Sequence, residues 1–389
     1  MRTWTTADFP VGFEQIHSDQ NINFQLNRHY NFSGSPKLLA DFLEAAPRIH
    51  DFETLVSTLI PLAKQAENEG NDLEAAFHYR GAEFVTPSSD PRKDVWRSRF
   101  RDLSRRFYGI PQDAYNRIPF GDIELAAYRL AGTTPTKGTV VFMNGFDGYL
   151  EEFLRILLVL RDAGYEVIAF DGPGQGEVLE KYKTPMAPEW ERPTAAVLDY
   201  FDLSDVTVIG CSLGGGLAVR AAAYEPRIRR VICFNVLPDL FESLSQATAP
   251  SVRTLLSTIV PRGLGRGLVN SVIRRNAATS TLIDWGLRQG MEVMGADDPY
   301  GFIRATLSFR TASYSPRLTQ DVLLLAGTTD HYVPIEHLWD QMSTLTGVSS
   351  LTARVFTEAE SASNHCQLGN LGLAIRTMLD WLDGLETAA

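Results

Sequence analysis

The chain has 389 residues, 44 % hydrophobic and 21 % charged, ordinary globular values that allow a large core and an accessory domain. Its net charge of −11 argues against non-specific binding to nucleic acid or an acidic membrane. Three cysteines (Cys211, Cys233, Cys366) without a CxxC pair exclude a disulfide framework, and neither a leader-type apolar segment nor a membrane-spanning apolar run is visible, so a soluble cytoplasmic protein is expected.

In chain order, residues 1–117 carry helical patterns. "PKLLADFLEAA", "FETLVSTLIPLAKQAENEG" and "DLEAAFHYRGAEFV" place apolar side chains three and four residues apart. The basic run from Arg92 to Arg106 has Val95, Phe100, Leu103 and Phe107 at roughly helical spacing and reads as a helix with a solvated face. From 118 the character changes. "IPFGDIELAAYRLAG" alternates around Gly-Asp, as a hairpin does. Short apolar runs at 138–144, 165–170, 206–210, 230–236, 321–327 and 351–356 then alternate with helical stretches, which predicts a parallel sheet covered on both faces. Between 237 and 319 no clear strand appears, and a structureless loop of that length is implausible, so an inserted helical cap is expected. The expected organisation is a helical N-terminal domain (1–117), an α/β core in two parts (118–236 and 320–389), and the cap (237–319) between them.

Within the core, Gly210-Cys211-Ser212-Leu213-Gly214 joins a buried strand to a helix. A G-x-S-x-G in that setting predicts a nucleophile elbow, where glycines admit the close backbone approach of a strained turn. The bland alternative is a glycine-rich turn with an incidental serine. Serine needs a base and an orienting acid, in the chain order Ser, Asp or Glu, His. Asp330 and His365 each follow a strand, at the carboxyl ends of strands where such groups collect in open α/β sheets. Asp330 has the alternative of capping a helix near Pro334. His331 and His337 are rival bases; His331 adjoins the proposed acid, so its side chain is expected to point away, and His337 lies in a helical pattern. The oxyanion donors are expected from the backbone N–H groups of Leu213 and of Phe146, in the Asn144–Gly148 loop.

Glu151 and Glu152 follow at a helix start, where they complement the helix dipole or, for Glu152, contact substrate. "FDGPGQG" (170–176) fits no phosphate-loop pattern and reads as a tight loop beside the active-site crevice. Trp285, Met291, Met294, Phe302 and Phe309 in the cap line an apolar pocket or simply pack the cap. No metal-ligand spacing occurs among the histidines, and no cofactor is expected.

Ser212, Asp330 and His365, with "NGFDG" and "FDGPGQG", resemble the α/β-hydrolase superfamily across roughly residues 118–389. The long helical segment before the core, "NGFDGYLEE" and "HCQLG" look like a subgroup containing polyketide-shortening hydrolases, 2,6-dihydroxypseudooxynicotine hydrolase and the fermentation-respiration switch protein. Cys211 departs from the residue many relatives carry before the serine. The resemblance implies an α/β-hydrolase fold and a homodimer whose N-terminal domain helps close the site. It also implies a small-molecule carbonyl substrate: an ester, a thioester or a carbon–carbon bond beside a ketone. An acyltransferase or cyclase with the same serine, and a non-catalytic ligand-binding protein of this fold, are the alternatives.

Overall fold

The computed structural model describes residues 2–246 and 248–388; Met1, Ala247 and Ala389, which fall within the expected segments, lie outside the described residues. The sheet opens with the expected antiparallel hairpin. β1 (Tyr115–Phe120) pairs with β2 (Ile123–Leu130), with Gly121 at φ 57° in the turn. β1 starts before the boundary expected at 117/118, which therefore falls inside a strand. The strands that follow are β3 (Thr139–Met143), β4 (Glu166–Asp171), β5 (Val206–Cys211), β6 (Ile228–Phe234), β7 (Asp321–Gly327) and β8 (Ser350–Phe356). Their order is β1-β2-β4-β3-β5-β6-β7-β8, parallel from β4 to β8, with β2 antiparallel to β4. The central strands are mainly apolar because both faces are covered. Val140 and Phe142 enter one core, and Val141 and Met143 enter the other.

The first core is shared with the N-terminal helices α1 (Gln20–Ser33), α2 (Pro36–Ala45), α3 (Phe52–Asn68), α4 (Asp72–Val85) and α5 (Arg92–Tyr108). The second core takes in side chains from helices that span the expected cap, Leu240–Gln246, Pro250–Ile259, Arg266–Ala277, Thr281–Val293 and Pro299–Thr306. Helix α1 has no clean apolar stripe because it is buried almost all round, with Asn23, Asn27, Arg28 and Asn31 turned inward. These four side chains find partners, whereas both ring nitrogens of the buried His29 have none among the described residues. Asn23 accepts the Ile16 N–H at 2.7 Å, Asn27 donates to the Glu14 carbonyl at 2.8 Å, and Asn31 accepts the Gly369 N–H at 3.1 Å.

The basic helix α5 has the expected solvated face, with Arg92, Arg99 and Arg106 exposed, but its four apolar residues do not all lie on the other one. Phe100 and Leu103 are buried, but Val95 and Phe107 are exposed. Arg97, Arg101 and Arg105, spaced one helical turn apart, face the core instead. They meet Glu83 at 3.2 Å, Glu151 at 3.4 Å and Glu151 at 3.0 Å, so carboxylates share that face with the buried Trp96, Phe100 and Leu103. Deeper in the same network, Arg80 of α4 reaches Glu152 at 2.8 Å and also pairs with Glu83, and all three side chains are almost wholly shielded from solvent. A charge buried there is tolerable only while paired. Arg80→Met should therefore lower stability by about 3 kcal/mol, the scale for removing one partner of a buried pair. Urea denaturation checks this, and an unchanged midpoint would show that the buried pairing carries no net stability.

Candidate active site

The β5-to-helix junction is a strained elbow. Ser212 has φ 58° and ψ −123°, unfavourable backbone for an L-residue, and caps the helix Leu213–Ala222. Every glycine around it is required by backbone contact. A Cβ on Gly210 would lie 1.9 Å from the Gly214 carbonyl oxygen, and one on Gly214 would lie 2.6 Å from that of Met143. Gly215 and Gly216 face the carbonyls of Asn235 and Leu237, at 2.3 and 2.5 Å from such a Cβ. The helix can pack this close to the segments after β3 and β6 only without side chains at those positions.

From Ser212 a hydrogen-bond chain runs inward. His365 Nε2 lies 2.8 Å from Ser212 Oγ, and His365 Nδ1 lies 2.7 Å from Asp330 Oδ2. Asp330 also accepts the backbone N–H groups of Tyr332 at 2.8 Å and Val333 at 2.9 Å, and the Asn235 amide donates to the same carboxylate. Burial opposes ionisation of Asp330, but His365 and the two backbone donors outweigh it and hold the carboxyl below the usual range. In this arrangement a carboxylate fixes an imidazole whose other nitrogen touches the serine oxygen, which suits proton removal from the hydroxyl. The two neighbouring cysteines also meet: Cys211 Sγ is 3.6 Å from Cys366 Sγ, both buried and both lining the cavity over Ser212.

The loop after β3 lies against the elbow. A Cβ on Gly145 would be 3.1 Å from Ser212 Cβ and 3.4 Å from the Leu213 nitrogen. Among the described residues, the N–H groups of Phe146 and Leu213 have no protein acceptor. The loop is held from three sides. The Asn144 side chain bridges within it, accepting the Gly145 N–H at 2.6 Å and donating to the Gly148 carbonyl at 2.5 Å. Gln175, from "FDGPGQG", donates to the carbonyls of Asn144 at 2.6 Å and Gly145 at 2.8 Å. Arg28 and Arg80 donate to Asp147, Arg28 to Oδ1 at 2.9 Å and Arg80 to the carbonyl at 2.8 Å.

A cavity of about 170 Å³ opens over Ser212, room for on the order of ten water molecules and thus for an organic substrate of moderate size. Its walls are mainly apolar and come from both accessory regions: Phe24 and Phe32 of α1, and Leu240, Trp285 and Phe302 of the cap. Trp285 also stacks on Phe84 at 4.8 Å, so it joins the cap to α4. Three expectations are corrected. Glu152 is fully buried behind the loop, bonded to Arg28 and Arg80, and is not in the cavity wall. Met291, expected at the pocket, packs in the second core outside the wall, and Met294 and Phe309 do the same, as the alternative of simple packing has it. His331 does not point away: its ring lies in the wall, 4.7 Å from that of Phe24, and burial lowers its pKa to about 4, which keeps it neutral. It makes no hydrogen bond to Ser212 among the described residues. His337 lies outside the wall, 3.3 Å from Ser243 Oγ. Among the described residues no group of three potential metal ligands occurs, and no helix is long and apolar enough to cross a membrane.

Arg28, Arg80, Gln175 and Asn235 were not singled out in the sequence. Each lies far along the chain from what it holds, 124 residues for Arg28 and Glu152, and of the four only Gln175 sits in a short stretch that stands out, "FDGPGQG".

Comparison with known proteins agrees with this fold. A family model described as the alpha/beta hydrolase family matches residues 140–366. Among curated relatives, Hydrolase LUC6 of a Fusarium species is 29 % identical over 72 % of this chain and 70 % of its own length. The 20-hydroxy-prefusarin hydrolase FUS2 of Gibberella moniliformis is 27 % identical over 72 % of this chain and 70 % of its own. Among solved structures, that of 2,6-dihydroxy-pseudo-oxynicotine hydrolase superposes with a TM-score of 0.63 at 21 % identity, covering 91 % of this chain and 94 % of that one, a likeness of fold.

Beside the loop, Asp171 is buried at the end of β4, with the Glu177 N–H at 3.3 Å and the Asn144 amide at 3.5 Å. Burial, reinforced by repulsion from Glu151, lifts its carboxyl to about 8. The folded protein thus holds a proton that the unfolded chain releases near its ordinary value of 3.8. Stability from this group is complete below about pH 4 and is lost as pH rises toward 8, by up to about 1.4 kcal/mol per pH unit. Asp171→Asn should flatten that dependence. Denaturant midpoints at pH 5, 6, 7 and 8 check it, and parallel curves for the two proteins would contradict the buried neutral acid.

Proposed function

The chain belongs to the alpha/beta hydrolase family, and from that premise we propose that it is a serine hydrolase acting on the carbonyl of a largely apolar small molecule. Ser212 is the nucleophile, His365 the base and Asp330 the group that orients and stabilises the imidazolium. The observation that carries the reading is the unbroken hydrogen-bond chain from Ser212 Oγ through His365 to Asp330.

His365 Nε2 takes the hydroxyl proton as Ser212 Oγ attacks the carbonyl carbon, and the N–H groups of Leu213 and Phe146 hold the oxyanion. Collapse of the tetrahedral intermediate breaks the bond to the leaving group, which receives the proton from His365. An acyl-serine remains, and water activated by the same histidine hydrolyses it. An alkoxide, thiolate or enolate leaving group satisfies this scheme, so the bond cleaved is an ester, a thioester or a carbon–carbon bond beside a ketone. The names of two similar proteins, a 20-hydroxy-prefusarin hydrolase and a 2,6-dihydroxy-pseudo-oxynicotine hydrolase, favour a metabolite of this kind.

A fluorophosphonate probe is expected to label the wild type and not Ser212→Ala; equal labelling of both would overturn the nucleophile. Turnover of p-nitrophenyl esters is expected to fall on the order of 10⁴-fold or more in His365→Ala. In His337→Ala, altered outside the cavity wall, most of it should remain.

A further inference from the structure

We propose that Arg28 is a positioning residue for the reaction: held by Glu152, it fixes Asp147 and thereby aims the Phe146 N–H at the carbonyl oxygen attacked by Ser212. The proposal rests on the reading of Ser212 and Phe146 above and gives the N-terminal helices a part in catalysis.

Arg28 and Glu152 meet in a two-point contact, Nε to Oε2 at 2.9 Å and Nη2 to Oε1 at 3.1 Å. This geometry fixes the plane of the guanidinium as well as its distance. The remaining Nη1 donates to Asp147 Oδ1 at 2.9 Å. Arg80 braces the same assembly, donating to Glu152 Oε1 and to the Asp147 carbonyl, both at 2.8 Å. Asp147 is the residue after Phe146, so both its ends are tied while the Phe146 N–H has no protein acceptor. Glu152 in turn accepts the Tyr149 N–H at 3.0 Å, closing the loop onto its own helix start. A donor placed beforehand needs no reorganisation when the oxyanion forms, and an error of a fraction of an ångström weakens it. Arg28 touches the cavity, but its guanidinium is already engaged by two carboxylates, so it acts through the loop.

The test uses Arg28→Met and Arg28→Lys, with Asp147→Asn as a milder variant that leaves the Arg28–Glu152 contact whole. On a p-nitrophenyl ester, kcat should fall about 10- to 100-fold in Arg28→Met, short of the loss of a whole oxyanion donor, with KM changed far less. Asp147→Asn should lower kcat in the same sense, and combining it with Arg28→Met should add little. Affinity for a trifluoromethyl ketone, which forms a tetrahedral oxyanion at serine, should fall in parallel with kcat/KM. Arg28→Lys, which keeps the charge but not the fork, should recover part of the loss. Unchanged kcat in both Arg28→Met and Asp147→Asn, or additive losses, would overturn the positioning role. Fluorophosphonate labelling of the wild type, lost in Ser212→Ala, checks the parent reading separately: a labelled wild type with unaffected variants sinks the positioning role alone, and an unlabelled wild type sinks both.

Discussion

The contact of Glu152 with Arg28 and Arg80 ties together the parts of the molecule that build the site. Three charges sit almost entirely out of water, and each is tolerable only with its partners in place. The three partners come from α1, α4 and the start of the helix after β3, so neither N-terminal helix can leave the sheet without exposing or orphaning a carboxylate. Apolar burial alone would hold the helices near the sheet but would tolerate a slipped register. The bidentate guanidinium contacts do not, because their donors lie in a fixed plane. The helical segment and the core also share one hydrophobic cluster, so the segment is part of the fold rather than an attachment to it.

A second constraint acts at the elbow. Ser212 holds a positive φ that its neighbours must enforce, and they do so through backbone. Gly210 lies under the Gly214 carbonyl, Gly214 under that of Met143, and Gly215 under that of Asn235. The last contact links the elbow to the acid: Asn235, itself at φ 58°, turns its side-chain amide toward the Asp330 carboxylate. Ser212 and the amide that holds Asp330 are thus set by one packed unit of β5, β6 and the helix that follows Ser212.

The order of strands and helices was legible because each central strand is covered on both faces and reads as an unbroken apolar run. The elbow was legible because its constraints are local: the strand, the serine and its glycines lie within one short stretch. Helix α1 left no such trace, since inward-facing Asn and Arg side chains erase the apolar stripe by which helices are recognised. Helix α5 misled for a related reason. Periodicity marks an apolar face, but the buried face here joins Trp96, Phe100 and Leu103 to Arg97, with Arg101 and Arg105 along its margin, and only the distant carboxylates reveal the arginines' part. Glu152 was placed in the pocket because a carboxylate at a helix start gives no sign of which partner it has. His331 was turned out of the site because a neighbour of Asp330 was expected to face the other way. The loop after β7 is irregular, and the aromatic packing of Phe24 and Tyr332 brings that ring into the wall.

These two constraints divide the labour in the cavity. Its walls are mainly apolar, with Ser243, Ser245, Thr248 and the neutral His331 ring among them, and Ser212 and His365 face it beside the N–H groups of Phe146 and Leu213. Arg28 and Asp147 also border it, but their charges satisfy each other and offer a substrate little further pairing. Low dielectric strengthens interactions beside Ser212, while apolar walls grip by shape and area. On the proposed reading, a substrate entering the cavity meets contacts of the same strength before and during reaction along the walls. Only the charge that develops on its carbonyl oxygen meets donors that were idle before. That difference between ground state and transition state is what accelerates a reaction. It is maintained by residues that never reach the substrate, because a loop free to relax would turn those same N–H groups toward water or toward its own carbonyls.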